Sequence, residues 1–384
     1  MKFLRLDDAR EIIPIGCRLL RLFGLGNNER FKLVYWIQIA IYLVFSLIPR
    51  FLLQLDDMVM VLRFSSEIMF ISYLCFQMVA LYFRRAHLYQ LVDMLKQCAG
   101  QPCSEDIQAF FIRSNVKINR SSVSYVRFFL ILYILYCTMA PIASIGVYMR
   151  NARNETSEKE EFIISSEMNL YYLDIRYNPL HYSIYAASIF VLSGISSLSL
   201  CTKDVVDIAA IKTTTLMFQM SAMQIRELYG QFTQKQLNKA INMHRDTLLC
   251  KKKLQDALNL SLLFQLACCS GIWCLMMFYI LLMGLDSRIL NLVVLLVIVS
   301  IETYAYCALG TELTDSGEDV LMALQQLSWY DQSVTLQRQI LFMIQRSQEP
   351  IVMTAGKLFS ASVQQFSEIV QKSYSFFLVL KNVF

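Results

Sequence analysis

"QQFSEIVQKSYSFFLVLKNVF", Gln364 to Phe384, decides how many times this chain crosses a bilayer. It is apolar enough to enter one, yet it carries Gln364, Glu368, Gln371, Lys372 and Asn382. The rest of the chain supplies the context. Of 384 residues, 56% are hydrophobic and 17% charged, with only 12 Gly and 6 Pro. Soluble domains carry roughly 25% charged residues. Few breaks and many apolar side chains suit long helices, and a hydrocarbon core of about 30 Å needs about 20 mostly apolar residues per crossing. Six strong runs come close to that length, at about 33–49, 64–83, 128–149, 182–201, 260–285 and 289–309. A weaker seventh runs from about Phe359 to Phe384 and contains the quoted stretch. Charges dot the first 30 residues and leave no uninterrupted apolar core, so the first span is expected to serve as its own insertion signal.

Lys and Arg near the spans set the orientation. Of 35 such residues, 26 fall in segments 1–32, 84–127, 203–257 and 312–357, and seven fall in the alternate connections. The N-terminus is therefore expected in the cytoplasm, and seven crossings place the C-terminus outside. Asn154-Glu155-Thr156, a glycosylation sequon in the long 150–180 connection, lies on the expected outer side. Asn119-Arg120-Ser121 and Asn259-Leu260-Ser261 also match the triplet, on the inner side. None of the 11 cysteines lies in an expected outer loop, in keeping with a protein that relies on no extracellular disulfide.

No enzyme chemistry is visible. The three histidines, His87, His181 and His244, are scattered, and no phosphate-binding, metal-binding or nucleophile-elbow motif occurs. Cys268, Cys269 and Cys274 sit in an apolar run without carboxylate or histidine neighbours and read as small apolar fillers. No enzyme activity, metal, cofactor or nucleic acid is expected. Asn178-Pro179-Leu180-His181-Tyr182 spells the N-P-x-x-Y of rhodopsin-like receptors, but it precedes the fourth span instead of ending the seventh. The charge bias also gives the opposite orientation. That match is coincidental.

Beyond the fourth run, Val205, Ala209, Leu216, Met220 and Met223 fall at helical spacing with Lys203, Asp207, Lys212, Gln219 and Arg226 between them. This predicts an amphipathic continuation into the cytoplasm. Ser316-Gly317-Glu318-Asp319 reads as a capping box opening a new helix. The stripes Val320, Leu321, Leu324, Leu327 and Leu336, Ile340, Met343, Ile344 then predict a helical platform that joins subunits.

From Thr303 to Phe384 the chain resembles the C-terminal region of insect odorant receptors. The markers are Cys307-x-x-Gly310, Trp329-Tyr330-Asp331, Gly356-Lys357-x-Phe359 and a closing Tyr-Ser-Phe-Phe-x-Val-Leu. The resemblance implies an all-α membrane protein with seven transmembrane helices, a cytoplasmic N-terminus and an extracellular C-terminus. It also implies an odorant-gated, non-selective cation channel in the plasma membrane of sensory-neuron dendrites, in contact with lipid and permeating cations. The short connection between spans four and five, without a low-complexity insert, fits a ligand-specific subunit that forms heterotetramers with the odorant receptor coreceptor. A gustatory-type receptor channel shares the architecture, and a metabotropic seven-helix receptor is the reading from another class.

The organisation expected is a cytoplasmic segment over 1–32 and a six-helix ligand-binding bundle over 33–309 with a cytoplasmic extension at 203–257. A cytoplasmic assembly helix over 310–357 and a pore-lining helix over 358–384 complete it. The resemblance places a small volatile, aromatic or heterocyclic by the ring content, in the outer half of spans two to five. Candidates are Phe70, Tyr73 and Gln77, then Cys137, Ser144 and Tyr148, then His181, Tyr185 and Ile189, then Met276 and Tyr279. On a wheel with Gln364 at zero, Glu368 falls at about 40°, Gln371 at about −20°, Ser375 at about 20° and Asn382 at about 0°. Phe366, Ile369, Val370, Phe376, Phe377, Leu380 and Phe384 lie opposite. Lipid cannot solvate such a polar stripe, so in a tetramer it is expected to line a pore. Val379 and Val383 are the gate candidates implied by the family, with Asn382 at the mouth and Glu368 at the inner side.

Overall fold

The structure, a computed structural model, describes residues 4–6, 8–26, 30–51, 58–153, 159–166, 168, 170, 173–228, 230–283 and 290–383. Asn154 lies outside the described residues, as does Phe384; the side chains of Leu380, Asn382 and Val383 lie outside them too. The described residues form a helical bundle with one hairpin of two-residue strands.

A short helix α1 (Pro14–Leu22) starts on Pro14, whose fixed φ and missing N–H suit the first helical position. Its apolar side, with Ile15 and Leu19, packs with Val205 of α6 (Pro179–Arg226). The charged 1–32 segment thus includes a packed amphipathic helix. The first span is α2 (Arg30–Tyr42), a π-helical turn (Leu43–Leu47) and α3 (Ile48–Phe51). Then come α4 (Met58–Ala99), α5 (Glu105–Arg153), α6, α7 (Gln234–Met283) and α8 (Leu290–Gln325). Among the described residues, six helices suit a membrane crossing by length and composition: Leu33–Phe51, Phe64–Ala99, Glu105–Arg153, Pro179–Arg226, Gln234–Ile280 and Leu295–Gln325. The 50 residues of α7 measure about 75 Å at 1.5 Å each, so these helices overshoot a bilayer core and build a second bundle beyond it.

The Asn-Pro pair has a local explanation. Asn178 Oδ1 accepts from the backbone N–H groups of Leu180 (3.0 Å) and His181 (3.4 Å), and Pro179 takes the first position of α6. This is a helix start.

Three expectations are corrected here. Lys203 and Asp207 do not face solvent: both are buried, because α6 beyond residue 201 runs through the centre of the second bundle. Ser316 opens no helix, since α8 continues unbroken to Gln325 and the Ser316 hydroxyl donates to the Leu313 carbonyl at 2.7 Å. The supposed assembly stripes turn inward. Val320, Leu324 and Leu327, with Leu336, Ile340 and Met343 of α9 (Val334–Ser347), belong to the chain's own core. A charge at Leu324 or Ile340 would therefore disrupt the subunit itself.

After α9 the chain makes the hairpin β1 (Thr354–Ala355) and β2 (Phe359–Ser360), so the boundary expected between residues 357 and 358 falls inside a turn. Gly356 and Lys357 both have positive φ, at 63° and 59°. Gln255 and Asn259 of α7 fasten this turn to the bundle: Gln255 pairs both ways with Thr354 at 2.8 Å, and Lys357 N–H donates to Asn259 Oδ1 at 3.0 Å. The descending strand then crosses α8 so closely that a Cβ on Gly310 would collide with the Ala361 carbonyl oxygen. Gly310→Ala is expected to cost about 1–3 kcal/mol, read as a lower Tm of the detergent-solubilised protein. An unchanged Tm would show that the crossing relaxes freely. The last helix, α10 (Val363–Val383), starts beyond this crossing.

Candidate ligand cavity and pore helix

A cavity of about 350 Å³ opens within the bundle at the end that carries the 150–178 connection. The first span contributes Tyr42, Ser46 and Arg50, and α4 contributes Glu67, Phe70, Ile71 and Leu74. Phe129, Leu132, Tyr133 and Tyr136 come from α5, and Ile189, Leu192, Ser193, Ser196, Ser197 and Leu200 from α6. Leu295 and Ile298 of α8 and Ser165 and Ser166 of the connection close it. The wall is mostly apolar and aromatic with a few hydroxyls, the surface that suits a small neutral molecule.

Of the eleven expected ligand residues, the cavity brings together Phe70 and Ile189. Cys137 stands behind its wall, with Sγ 3.2 Å from Ser193 Oγ. Ser144 and Tyr185 hold the connection down. Ser144 Oγ donates to the Ile163 carbonyl and accepts from its N–H, both at 3.0 Å. Tyr185 does the same for Ser166, again at 3.0 Å. A strap without secondary structure needs partners for its backbone groups, and these side chains supply them. His181 starts α6 beside the strap, and Tyr148 points outward from α5. Outside the cavity, Tyr177 and then Arg176 hold the Glu161 carboxyl below its usual range. Met276 and Tyr279 pack with Leu62 in a separate cluster. The first span and α8, absent from the sequence expectation, take the place of α7 in the wall.

Tyr73 belongs to a buried polar cluster about one helical turn from the cavity residues Phe70 and Leu200. Lys203 Nζ lies 2.5 Å from Glu302 Oε1, 3.0 Å from Asp204 Oδ1 and 3.0 Å from the Tyr73 hydroxyl. Asp204 accepts from Tyr125 (2.6 Å) and Tyr306 (2.8 Å). Tyr73 also donates to Gln265, whose Nε2 donates to Thr303 at 3.0 Å. Beside this cluster, Arg84 Nη1 contacts both oxygens of Asp207 at 3.0 and 2.9 Å. Gln77 and Ser261 pair reciprocally, at 3.1 and 2.6 Å. Sequence reasoning missed this network, although one signal was available: an ionisable residue inside or at the end of an apolar run needs a named partner.

On α10, Ile369 and Ser373 are buried, and the Phe366 ring lies 5.5 Å from that of Tyr304 on α8. On the wheel these three fall at about 140°, 180° and 200°. Gln364, Gln371 and Ser375 are exposed, and Val379 is 60% exposed. Glu368, half-exposed, accepts from Lys372 (3.2 Å) and Gln364 (3.3 Å). The polar stripe therefore points directly away from the helix's contacts with its own chain.

A bundle of membrane-length helices around a small apolar cavity is the frame of a multi-pass membrane receptor for small molecules. The family model described as 7tm Odorant receptor matches residues 54–374, and the chain belongs to the odorant receptor family. Among curated relatives, Odorant receptor 19a of Drosophila melanogaster is 26% identical over 144 residues, covering 37% of each chain. Odorant receptor 13a of the same species is 28% identical over 172 residues, covering 41% of each. These matches span well under half the length of the relatives. Among solved structures, the olfactory receptor OR5 from Machilis hrabei in complex with eugenol aligns with a TM-score of 0.76 at 15% identity. That alignment covers 97% of this chain and 98% of the other. A second structure of OR5 gives 0.70 at 14% identity, over 93% and 91%.

Proposed function

We propose that this chain is the ligand-specific subunit of an odorant-gated, non-selective cation channel, assembled as a heterotetramer with the odorant receptor coreceptor in the dendritic membrane of a sensory neuron. The observation that carries this reading is the 350 Å³ cavity, walled by aromatic and aliphatic side chains and closed by the hydrogen-bonded strap. Its size and lining suit a compact aromatic or heterocyclic volatile packing against Phe70 and Phe129. The exposed polar stripe of α10, with Glu368, Gln371, Ser375 and Val379, supports its role as one wall of a central pore. In this reading the N-terminus is cytoplasmic and Asn154 is the glycosylation site. Subunits meet through side chains the chain leaves exposed near the hairpin and α9, such as Phe342 and Leu358.

The experiment is current recording with the coreceptor, G-protein signalling blocked, across a panel of volatiles. Aromatic ligands are expected to open the channel, and loss of the evoked current under the block would count against a channel. Ile189→Trp adds a large ring to the cavity wall, and about a hundredfold loss of ligand sensitivity is expected from overpacking. Unchanged dose-response curves with normal surface expression would move the ligand elsewhere.

A further inference from the structure

Where α5 enters its apolar run at Phe128, its outward face is strongly basic. From Arg113 to Phe128 the helix carries Arg113, Lys117, Arg120 and Arg127 and no carboxylate. All four side chains are exposed, and none pairs with a carboxylate among the described residues. On a wheel with Arg113 at zero they fall at about 0°, 40°, −20° and −40°, one continuous face. On this face Arg120, Ser121, Ser124, Tyr125 and Phe128 line an open notch of about 460 Å³. Helical serines often turn their hydroxyls back onto the preceding turn, as Ser122 does to the Ile118 carbonyl at 3.1 Å. Ser121 and Ser124 are exposed instead, and among the described residues neither hydroxyl has a partner. One wall of the notch is fixed: the Tyr125 hydroxyl donates to Asp204 at 2.6 Å, and its ring lies 5.6 Å from that of Phe129. Toward the other end of the span the same face turns apolar, with Phe128, Ile131 and Leu135 exposed. Ser124 precedes Phe128 by about 6 Å and Arg120 by about 12 Å along the helix, which sets the notch at headgroup level beside the hydrocarbon.

We propose that this face of α5 binds an anionic glycerophospholipid. Its phosphodiester sits in the notch, where Arg120 and Arg127 supply charge and the Ser121 and Ser124 hydroxyls donate to its oxygens. Its acyl chains lie along Phe128, Ile131 and Leu135. Charge and depth together select this occupant. Unpaired cations at the membrane surface attract anionic lipid, and guanidinium and hydroxyl donors suit phosphate oxygens. The apolar continuation at hydrocarbon depth gives acyl chains a surface that a soluble anion would leave unused. A phosphatidylcholine in the same place would bring its own cation to the four already there. That the leaflet is the inner one rests on the orientation proposed above.

The test is photolabelling of the full-length receptor, alone and with its coreceptor, in phosphatidylcholine vesicles doped with phosphatidylserine that bears a diazirine on one acyl chain. The same probe built on phosphatidylcholine is the reference, and labelled peptides are mapped by mass spectrometry. Phosphatidylserine is expected to label the peptide containing Phe128–Leu135 at least about fivefold more than the reference. Arg120→Gln/Arg127→Gln should bring this ratio close to one. Ser124→Leu fills the notch, keeps every cation and should lower the ratio by about half or more. All three positions are exposed, where substitutions cost little stability. A wild-type ratio near one overturns the proposal. An unchanged ratio in Ser124→Leu does so too, because diffuse attraction to the cations would survive a filled notch. Labelling that is lost when the coreceptor is present would assign the face to a subunit contact. Competition by inorganic phosphate at matched ionic strength would assign it to a soluble anion; either result overturns the lipid site. The vesicles present the probe in both leaflets and the readout needs no current. A reversed orientation or a chain that does not conduct therefore leaves the ratio high, and only a missing site lowers it.

Discussion

Lys203→Met is expected to leave little folded protein at the cell surface. The ammonium sits between two carboxylates, 2.5 Å from Glu302 and 3.0 Å from Asp204, and is 2% exposed. It also lies 5.0 Å from the centre of the Tyr306 ring and 5.6 Å from that of Tyr73, close enough for each π face to favour the cation. Removing it leaves two carboxylates facing each other in a site closed to water. Breaking a buried pair in this way costs about 3–5 kcal/mol, a large share of the stability of any fold. Arg84 cannot substitute, because Asp207 engages it on both oxygens. Adding Glu302→Gln to Lys203→Met should restore part of the yield. Asp204 would then stand alone, with the Tyr125 and Tyr306 hydroxyls still donating to it. Surface biotinylation and size-exclusion profiles of the two variants give the comparison. Wild-type yield from Lys203→Met would mean that the charge is dispensable.

This cluster marks where sequence reading stops. The six apolar runs and the weaker seventh locate every long helix, because a bilayer constrains helix length and polarity strongly. The marker Gly356-Lys357 proves to be the turn of a hairpin that the sequence reading did not expect, and the marked Gly310 the point where the chain crosses α8. What lies outside the bilayer was harder. An amphipathic stripe such as Val320–Leu327 shows that one side is buried, but not whether the covering surface is the same chain or another. Alternating polar residues on α6 looked like a solvated face, yet Lys203 and Asp207 are neutralised by Glu302 and Arg84, more than 90 residues away in the chain. The cavity failed for a similar reason. Tyr73, Ser144 and Tyr185 have the composition of ligand contacts, and the structure uses them for the charge cluster and the strap. Arg50, which lines the cavity, resembles an ordinary flanking cation until Ser166 and Glu67 are brought beside it.

Cysteine at Val379, modified by a cationic thiol reagent while ligand holds the channel open, is expected to lower the current about twofold or more, since a fixed positive charge in a narrow cation path opposes entry. The geometry of α10 supplies the reason. Its contacts with α7 and α8 run through Phe366, Ile369 and Ser373, and Val379, 60% exposed, projects about 140° from Phe366, about 120° from Ser373 and about 80° from Ile369 on the wheel. The same side carries the exposed Gln371, whose side-chain amide lipid could not solvate, and Ser375, whose hydroxyl donates back to the Gln371 carbonyl at 2.9 Å. Water or another subunit must cover them. If water does, the reagent reaches residue 379, and reaction should be faster in the presence of ligand. If another subunit buries the stripe, the residue is closed and the current unchanged. The effect should remain partial, because the other subunits supply the remaining walls. Eleven native cysteines set the background, so the wild-type channel under the same reagent is the reference. Cys274, half-buried, lies 3.9 Å from Ser373 Oγ on the covered side of α10, and that contact predicts slow reaction. A fast, ligand-dependent block at residue 379 above that background would therefore come from the exposed stripe itself, whereas equal rates in both channels would take α10 out of the conduction path.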